Sequence, residues 1–405
     1  MSSESSERHP SVFRDGSKLL PRYIPGALLH RERQLSMLDN IFRDTLENPR
    51  ENYMRVVQLL GPTGSGKTST ALWFGSKLQR EAGERRGITL GIVHVNCKVE
   101  AKTQRSLYRK ILMKAAGRDV QGGPTEEYLT LLLDHLRKQG DYLVIILDDV
   151  DYLIRLSKQE QPEGGVIYDL TRLNEVHLGE YMNVLGVLFI ARDDGFRSLL
   201  DSSERSSLGR LVVRMPHYGK DELVDILRAR VEEAFNPDTV PPEVVGYVAD
   251  LASGRREDPG DCRYALDLLL TAGMMADERR EATVSLEHVR SSYADATWGP
   301  SDEELNALSP HCILVLGAAV LVLKRRMTPY VSVKDVHEFY RMACDTRGVR
   351  PLGYGRVRQL ILELNAIGGL DLGPKGGVGI AGATLDDLEW SLIAMEKKIK
   401  LVESE

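Results

Sequence analysis

Residues 61–68 read Gly-Pro-Thr-Gly-Ser-Gly-Lys-Thr, and this stretch decides the fold. Its glycines let backbone N–H groups turn toward phosphate oxygens, Lys67 reaches the β and γ oxygens, and Thr68 offers its hydroxyl to Mg²⁺. Gly61, Pro62, Thr63, Gly64, Ser65, Gly66, Lys67, Thr68 and Ser69 are therefore the candidate nucleotide-binding residues, with Thr68 a candidate metal ligand. The flanks suit the motif. Residues 54–60 (MRVVQLL) form a short apolar run that reads as a strand, and a helical pattern starts at Lys67. That helix presents its positive N-terminus to the bound anion.

Further apolar, β-branched runs at residues 89–96, 142–148, 184–191 and 211–215 alternate with helical stretches. Strands and helices in that order predict a parallel sheet covered on both faces. Residues 142–149 read Tyr-Leu-Val-Ile-Ile-Leu-Asp-Asp. A carboxylate ending a buried strand beside the phosphate loop holds Mg²⁺ through water, which selects Asp148. Asp149 has two readings. It orients the attacking water, or it caps the helix that follows.

From residue 220 to 293 the pattern is helical throughout, broken at Asn236-Pro237, Pro241-Pro242 and residues 253–260. Residues 1–17, rich in Ser and charge, read as disordered. Residues 157–165 (SKQEQPEGG) read as an exposed loop, and 297–303 as a linker. With 405 residues, two or three domains are expected. The apolar run 313–323 is too short to cross a bilayer and reads as a buried helix. The polar N-terminus has no secretory h-region. Four scattered cysteines exclude a C-x-x-C metal site and favour a reducing cytoplasm. A net charge of −6 argues mildly against nucleic-acid binding for the chain as a whole, so charge must be read locally.

Several segments together resemble the archaeal origin-recognition initiators of the Orc/Cdc type, AAA+ ATPases with a C-terminal winged helix. Residues 20–25 (LPRYIP) and 30–35 (HRERQL) are similar to the motif that opens that family's ATPase domain and lies near the adenine, which adds Tyr23 and Ile24 to the nucleotide site. The phosphate loop and Asp148 match its Walker motifs. Residues 260–269 (GDCRYALDLL) look like its sensor-2 helix, whose arginine, here Arg263, reaches the γ-phosphate; Asp261 would cap that helix. The implied architecture is an α/β AAA+ P-loop domain with a parallel sheet (18–216), an all-helical lid (217–296), a linker (297–304) and a winged-helix domain (305–396).

Three positions depart from the family pattern. Asp149 stands where Glu is usual, one methylene shorter at the residue that handles water. A reach error near 1 Å can cost about 100-fold in rate, so slow hydrolysis is expected. Arg192 stands at the sensor-1 position, where Asn is usual. Ser203 occupies the usual arginine-finger position, leaving Arg205 as a substitute or the finger missing. These departures favour a slow nucleotide switch over a fast ATPase.

At the C-terminal end the order helix, helix, recognition helix, hairpin fits a winged helix. Residues 332–342 give its second helix, and residues 353–360 (GYGRVRQL) open the third. Val357, Leu360, Ile361 and Leu364 share one face of that third helix. Tyr354, Arg356 and Arg358 then fall near its N-terminus, where a recognition helix meets bases and phosphates. Residues 371–379 read as a wing with Lys375 at its tip. Between residues 324 and 375, Arg325 and Arg326 included, ten Lys/Arg face five Asp/Glu, a local charge of +5. A solvated helical face, or a winged helix used for protein contacts, is the alternative. The family also carries a helical insertion before the Walker B strand, where Lys102, Arg105 and Arg109 are candidate DNA contacts or, equally, ordinary exposed helix residues.

The leading expectation is an ATP/ADP- and Mg²⁺-dependent, nucleoid-associated cytoplasmic initiator that binds double-stranded origin DNA in a sequence-specific way. Its implied partners are other initiator subunits and, from the resemblance alone, the replicative helicase; no membrane is involved. Two alternatives stand beside it. One is a regulatory signalling NTPase whose winged helix makes protein contacts; the other is an ATP-driven motor or clamp loader.

Overall fold

The structure is a computed structural model. It describes residues 11–51, 53–119, 123–125, 127–160, 165–175, 181–255, 258–296, 308–373, 376–380, 383–386, 388–389 and 392. The chain divides into two compact units, residues 24–218 and a second unit formed by the N-terminal segment with residues 219 onward.

In the first unit, helix α1 (Glu32–Glu47) leads to β1 (Arg55–Leu60), α2 (Lys67–Arg86), β2 (Leu90–Asn96), α3 (Gln104–Ala116) and α4 (Glu127–Gln139). Strand β3 (Tyr142–Asp148), α5 (Val150–Glu160), α6 (Val166–Thr171), β4 (Val184–Ala191), α7 (Ser202–Leu208) and β5 (Val212–Arg214) follow. The five strands are all parallel, in the order β2-β3-β4-β1-β5. Strands β3 and β4 are buried at every residue, as continuous apolar runs inside a two-faced sheet must be. Alternation in β3 divides the core. Tyr142, Val144 and Ile146 pack with Phe42 and Phe74 of α1 and α2. Leu143, Ile145 and Leu147 pack on the other face with Tyr108, Leu132 and Leu153 of α3, α4 and α5.

Register matters for function. Leu60 lies opposite Ala191, and Asn96 opposite Asp148. The carboxyl ends of β1, β2, β3 and β4 therefore finish along one edge, where open parallel sheets place their ligands. The expected loop at 157–165 begins later than the sequence suggested. Ser157 to Glu160 continue α5, because Ser, Lys, Gln and Glu are helix-compatible; the expectation for residues 161–164 lies outside the described residues.

In the second unit, α8 (Lys220–Ala234), α9 (Pro242–Ser253), α10 (Cys262–Glu278) and α11 (Leu286–Ala296) form the helical region. Its breaks fall where the prolines and the 253–260 stretch predict them. Residues 11–17 are not a disordered tail. Val12 is buried, its N–H donates to Asp277 at 2.7 Å, and the Phe13 ring packs on Phe235 with centroids 4.7 Å apart. The segment through Tyr23, expected in the nucleotide-binding domain, also belongs to this unit, and Tyr23 lies under the Arg230 guanidinium of α8.

Helix α12 (Pro310–Arg326) is the buried apolar helix, capped by Ser309 with proline at its first position. Then come β6 (Tyr330–Val331), α13 (Val333–Arg347), α14 (Tyr354–Ala366), β7 (Asp371–Leu372) and β8 (Val378–Gly379). The three short strands form an antiparallel sheet in the order β6-β8-β7, so β7 and β8 are the two arms of the expected wing. Val357, Leu360, Ile361 and Leu364 of α14 are all buried against α12, which is the face the periodicity picks out. Lid and wing touch: Tyr247 of α9 donates to the Ile380 carbonyl at 3.0 Å, and its ring meets Tyr330 edge-on. The whole of the expected linker, 297–304, and Lys375 lie outside the described residues.

Candidate functional site

The phosphate loop joins β1 to α2, and two glycines set its shape. A Cβ on Gly61 would lie 2.2 Å from the Met215 carbonyl oxygen. Gly66 sits at φ +80°, and a Cβ there would lie 2.7 Å from the Tyr218 hydroxyl. Only glycine fits either place. Gly66 caps α2 with no side chain, so no side-chain oxygen occupies the helix N-terminus. Ser65 Oγ donates to the Pro62 carbonyl at 2.8 Å and tightens the turn. Lys67 Nζ lies across the loop, donating to the Gly61 and Pro62 carbonyls at 2.7 Å each.

Strand β3 delivers Asp148 to this loop. Thr68 Oγ1 donates to Asp148 Oδ2 at 2.6 Å, and His94 Nε2 of β2 lies 3.6 Å from the same oxygen. Burial pushes the Asp148 carboxyl up, but His94, the Thr68 hydroxyl and the Asp149 N–H outweigh it and hold it below the ordinary carboxylate range. An ionised carboxylate beside a hydroxyl is a hard-oxygen donor pair, and it fits Mg²⁺, which takes few protein ligands and fills its shell with phosphate and water. Among the described residues no three or more His, Cys, Asp or Glu side chains converge as a self-sufficient metal site.

Asp149 adopts φ +53°, and its carboxylate accepts from Asn96 Nδ2 at 3.0 Å. The Asn96 amide is oriented by its other end, whose Oδ1 accepts from the Lys98 and Val99 N–H groups at 3.0 Å. The structure thus ties Asp149 to the end of β2. Asn96 and His94 were missed in the sequence because a polar residue on a strand carries no spacing signal. The expected nucleotide residue Ile24 opens this unit, while Tyr23 closes the N-terminal segment of the other. Arg192 follows β4 by one residue and is exposed; Arg205 is exposed on α7. Arg263 stands exposed in the first turn of α10, whose N-cap Asp261 accepts from the Tyr264 N–H at 3.1 Å, as expected.

In the winged helix, Gly353 precedes α14, and Tyr354, Arg356 and Arg358 are exposed in its first turns. Tyr354 meets the His337 ring edge-on, 5.5 Å between centroids. Arg356 is held on its own helix, donating to Gln359 at 2.9 Å with Glu363 at 3.5 Å. Arg358 has no partner among the described residues. Arg326 pairs with Asp335 at 2.5 Å, and Arg325 lies over Phe339. Before Walker B, Lys102 is exposed ahead of α3, Arg105 lies 6.0 Å from the Tyr128 ring centre, and Arg109 pairs with Asp119. No helix among the described residues is long and apolar enough to cross a membrane.

Comparison with known proteins agrees with this geometry. Residues 51–200 match an AAA domain, 224–294 a Cdc6 AAA+ ATPase-type lid domain, and 303–377 a CDC6 C-terminal winged helix domain. The chain is 30% identical to ORC1-type DNA replication protein 2 of Sulfurisphaera tokodaii, over 94% of this chain and 90% of that one. It is 33% identical to ORC1-type DNA replication protein 1 of Aeropyrum pernix, over 88% and 87%. Among solved structures, Cdc6p from Pyrobaculum aerophilum superposes with a TM-score of 0.80 at 27% identity, covering 96% of this chain and 99% of that one. The ORC1 protein of Aeropyrum pernix, solved in complex with DNA, gives 0.61 at 29% identity, covering 96% and 98%. Sheet order, lid, winged helix and full-length similarity lead to one conclusion: the chain belongs to the archaeal Orc/Cdc6 family of AAA+ replication initiators.

Proposed function

We propose that this initiator binds duplex origin DNA sequence-specifically under the control of bound ATP or ADP, and that it hydrolyses ATP slowly. One observation carries the DNA reading. Helix α14 buries four apolar residues on one side and leaves Tyr354, Arg356 and Arg358 exposed at its N-terminal end. That is the geometry of a helix that enters a groove. Lys375, Arg325 and Arg326, and Lys102, Arg105 and Arg109 before Walker B supply further phosphate contacts in this reading. The relative solved with DNA supports it.

At the nucleotide, the loop N–H groups and Lys67 cradle the phosphates, while Thr68 and Asp148 would hold Mg²⁺, which would supply positive charge to the phosphates. Asp149, tethered by Asn96, orients water with a short arm, Arg192 and Arg263 contribute positive charge to the γ-phosphate, and Arg205 is the substitute for the arginine finger. Tyr23 and Ile24 flank the adenine. A short acid with an amide tether, and arginine in place of the usual sensor amide, support slow turnover. Other initiator subunits and the replicative helicase are the partners this reading implies.

The test is recovery of sheared DNA from the source organism at physiological salt, where non-specific affinity is weak. A few sharp peaks, lost when Arg356 and Arg358 become Ala, are expected. Even coverage, or no recovery, would move the protein to the signalling or motor readings.

A further inference from the structure

Arg31 is 1% exposed, an unusual place for a guanidinium. It lies at the start of α1, far in sequence from the phosphate loop. Its Nε and one terminal nitrogen both donate to the Ser65 carbonyl, at 3.1 and 2.9 Å. That terminal nitrogen also reaches the Pro216 carbonyl at 2.9 Å, and the other donates to the His30 carbonyl at 2.7 Å. The guanidinium carbon stands 3.6 Å from the centre of the Tyr218 ring. On its far side, Tyr218 brings its hydroxyl against Gly66.

We infer that Arg31 and Tyr218 are positioning residues for nucleotide, a strut that fixes the back of the phosphate loop to the segment where the chain leaves this unit. The inference rests on the nucleotide reading above. Ser65 and Gly66 carry the peptide whose orientation aims the loop's last N–H groups at the phosphates. A carbonyl gripped by two guanidinium nitrogens cannot flip, and Gly66 at φ +80° is backed by the tyrosine. Tyr218 is also the last residue of the unit. Lysine cannot replace the guanidinium. It has no fork to hold Ser65, Pro216 and His30 together and no flat face for the ring.

The test compares wild type, Arg31→Lys and Tyr218→Leu for binding of a fluorescent ADP with Mg²⁺. Thermal midpoints are taken with and without ADP. Arg31→Lys should fold, by circular dichroism, and bind ADP about tenfold or more weakly, since charge-assisted bonds to the loop are lost. Its ADP-induced rise in midpoint should shrink. Tyr218→Leu should show the same loss to a lesser degree, and it decides the matter if Arg31→Lys does not fold. A lower ADP-free midpoint with wild-type affinity and an unchanged ADP-induced rise would overturn the strut, because a merely structural arginine behaves that way. Failure of wild type to bind ADP would overturn the nucleotide reading instead.

Discussion

The phosphate loop and helix α14, the recognition helix of the proposed function, are two different ways of making a binding surface. The loop works through backbone: two glycines that tolerate no Cβ, one of them a left-handed cap, and a buried arginine behind Ser65 hold its N–H groups in place. The helix works through side chains, and its arginines are exposed or only loosely held by neighbours. A backbone site is built before its ligand arrives, whereas a side-chain surface is ordered by the ligand itself. Single substitutions should therefore be severe at the loop and graded at the helix.

The largest effect should come from Lys67→Ala. Removing the ammonium should weaken ADP binding about 100-fold or more, since one charge-assisted contact contributes about 1.5–3 kcal/mol and several oxygens share this one. Equilibrium titration checks it, and a loss under about fivefold would break the comparison at its stronger side.

The helix comes next. Arg358→Ala should lower affinity for a specific site about tenfold and reduce the salt slope by about one. Arg356→Ala should do less, because its guanidinium already donates to Gln359 and faces Glu363. Binding isotherms at several salt concentrations separate the two. Equal slopes would mean that the intrahelical pairs of Arg356 open on DNA without penalty.

What was legible in the sequence follows the same division. Strands β3 and β4 coincide with the runs read from the chain, because a strand buried on both faces must be apolar throughout. The phosphate loop was legible because its chemistry demands fixed spacing, and α14 because four apolar residues recur at helical period. Val12 and Phe13 were hidden because two apolar residues inside a polar stretch form no period, yet Val12 is buried and Phe13 packs on Phe235. Arg31 was legible only as part of the HRERQL motif near the adenine; its hold on the loop emerges when the fold places Ser65, Pro216 and Tyr218 around it. Asn96 became visible only when the parallel register set it beside Asp148.

A smaller effect tests the contact between lid and wing. Tyr247→Phe removes a buried hydroxyl's bond to the Ile380 carbonyl, and about 1 kcal/mol of stability should go with it. Chemical denaturation measures this. No change would mean that the lid and wing pack through their rings alone.

The smallest effects lie in the carboxylates behind the phosphate loop, and their signs oppose. Asp148 is held below the ordinary range because His94, Thr68 and the Asp149 N–H outweigh burial. Its ionised form is favoured by folding, so its contribution is present above the unfolded value near 4 and disappears as pH falls through the lower folded value. Asp151, three residues on, is pushed up by burial and then by Asp149 and Asp193. Folding disfavours its charge, so stability falls as pH rises from the unfolded value through the raised folded one, and the deficit persists at neutral pH. With nucleotide and metal removed, Asp148→Asn should therefore destabilise the protein at pH 7, and Asp151→Asn should stabilise it, each by about 1 kcal/mol or less, the usual net worth of one hydrogen bond. Both differences should vanish toward low pH. Thermal melts from pH 3 to 7 decide it. Parallel curves would mean that these acids share one field, whereas opposed curves place the hydrogen-bonded carboxylate and the repelled one in separate surroundings on either side of Asp149.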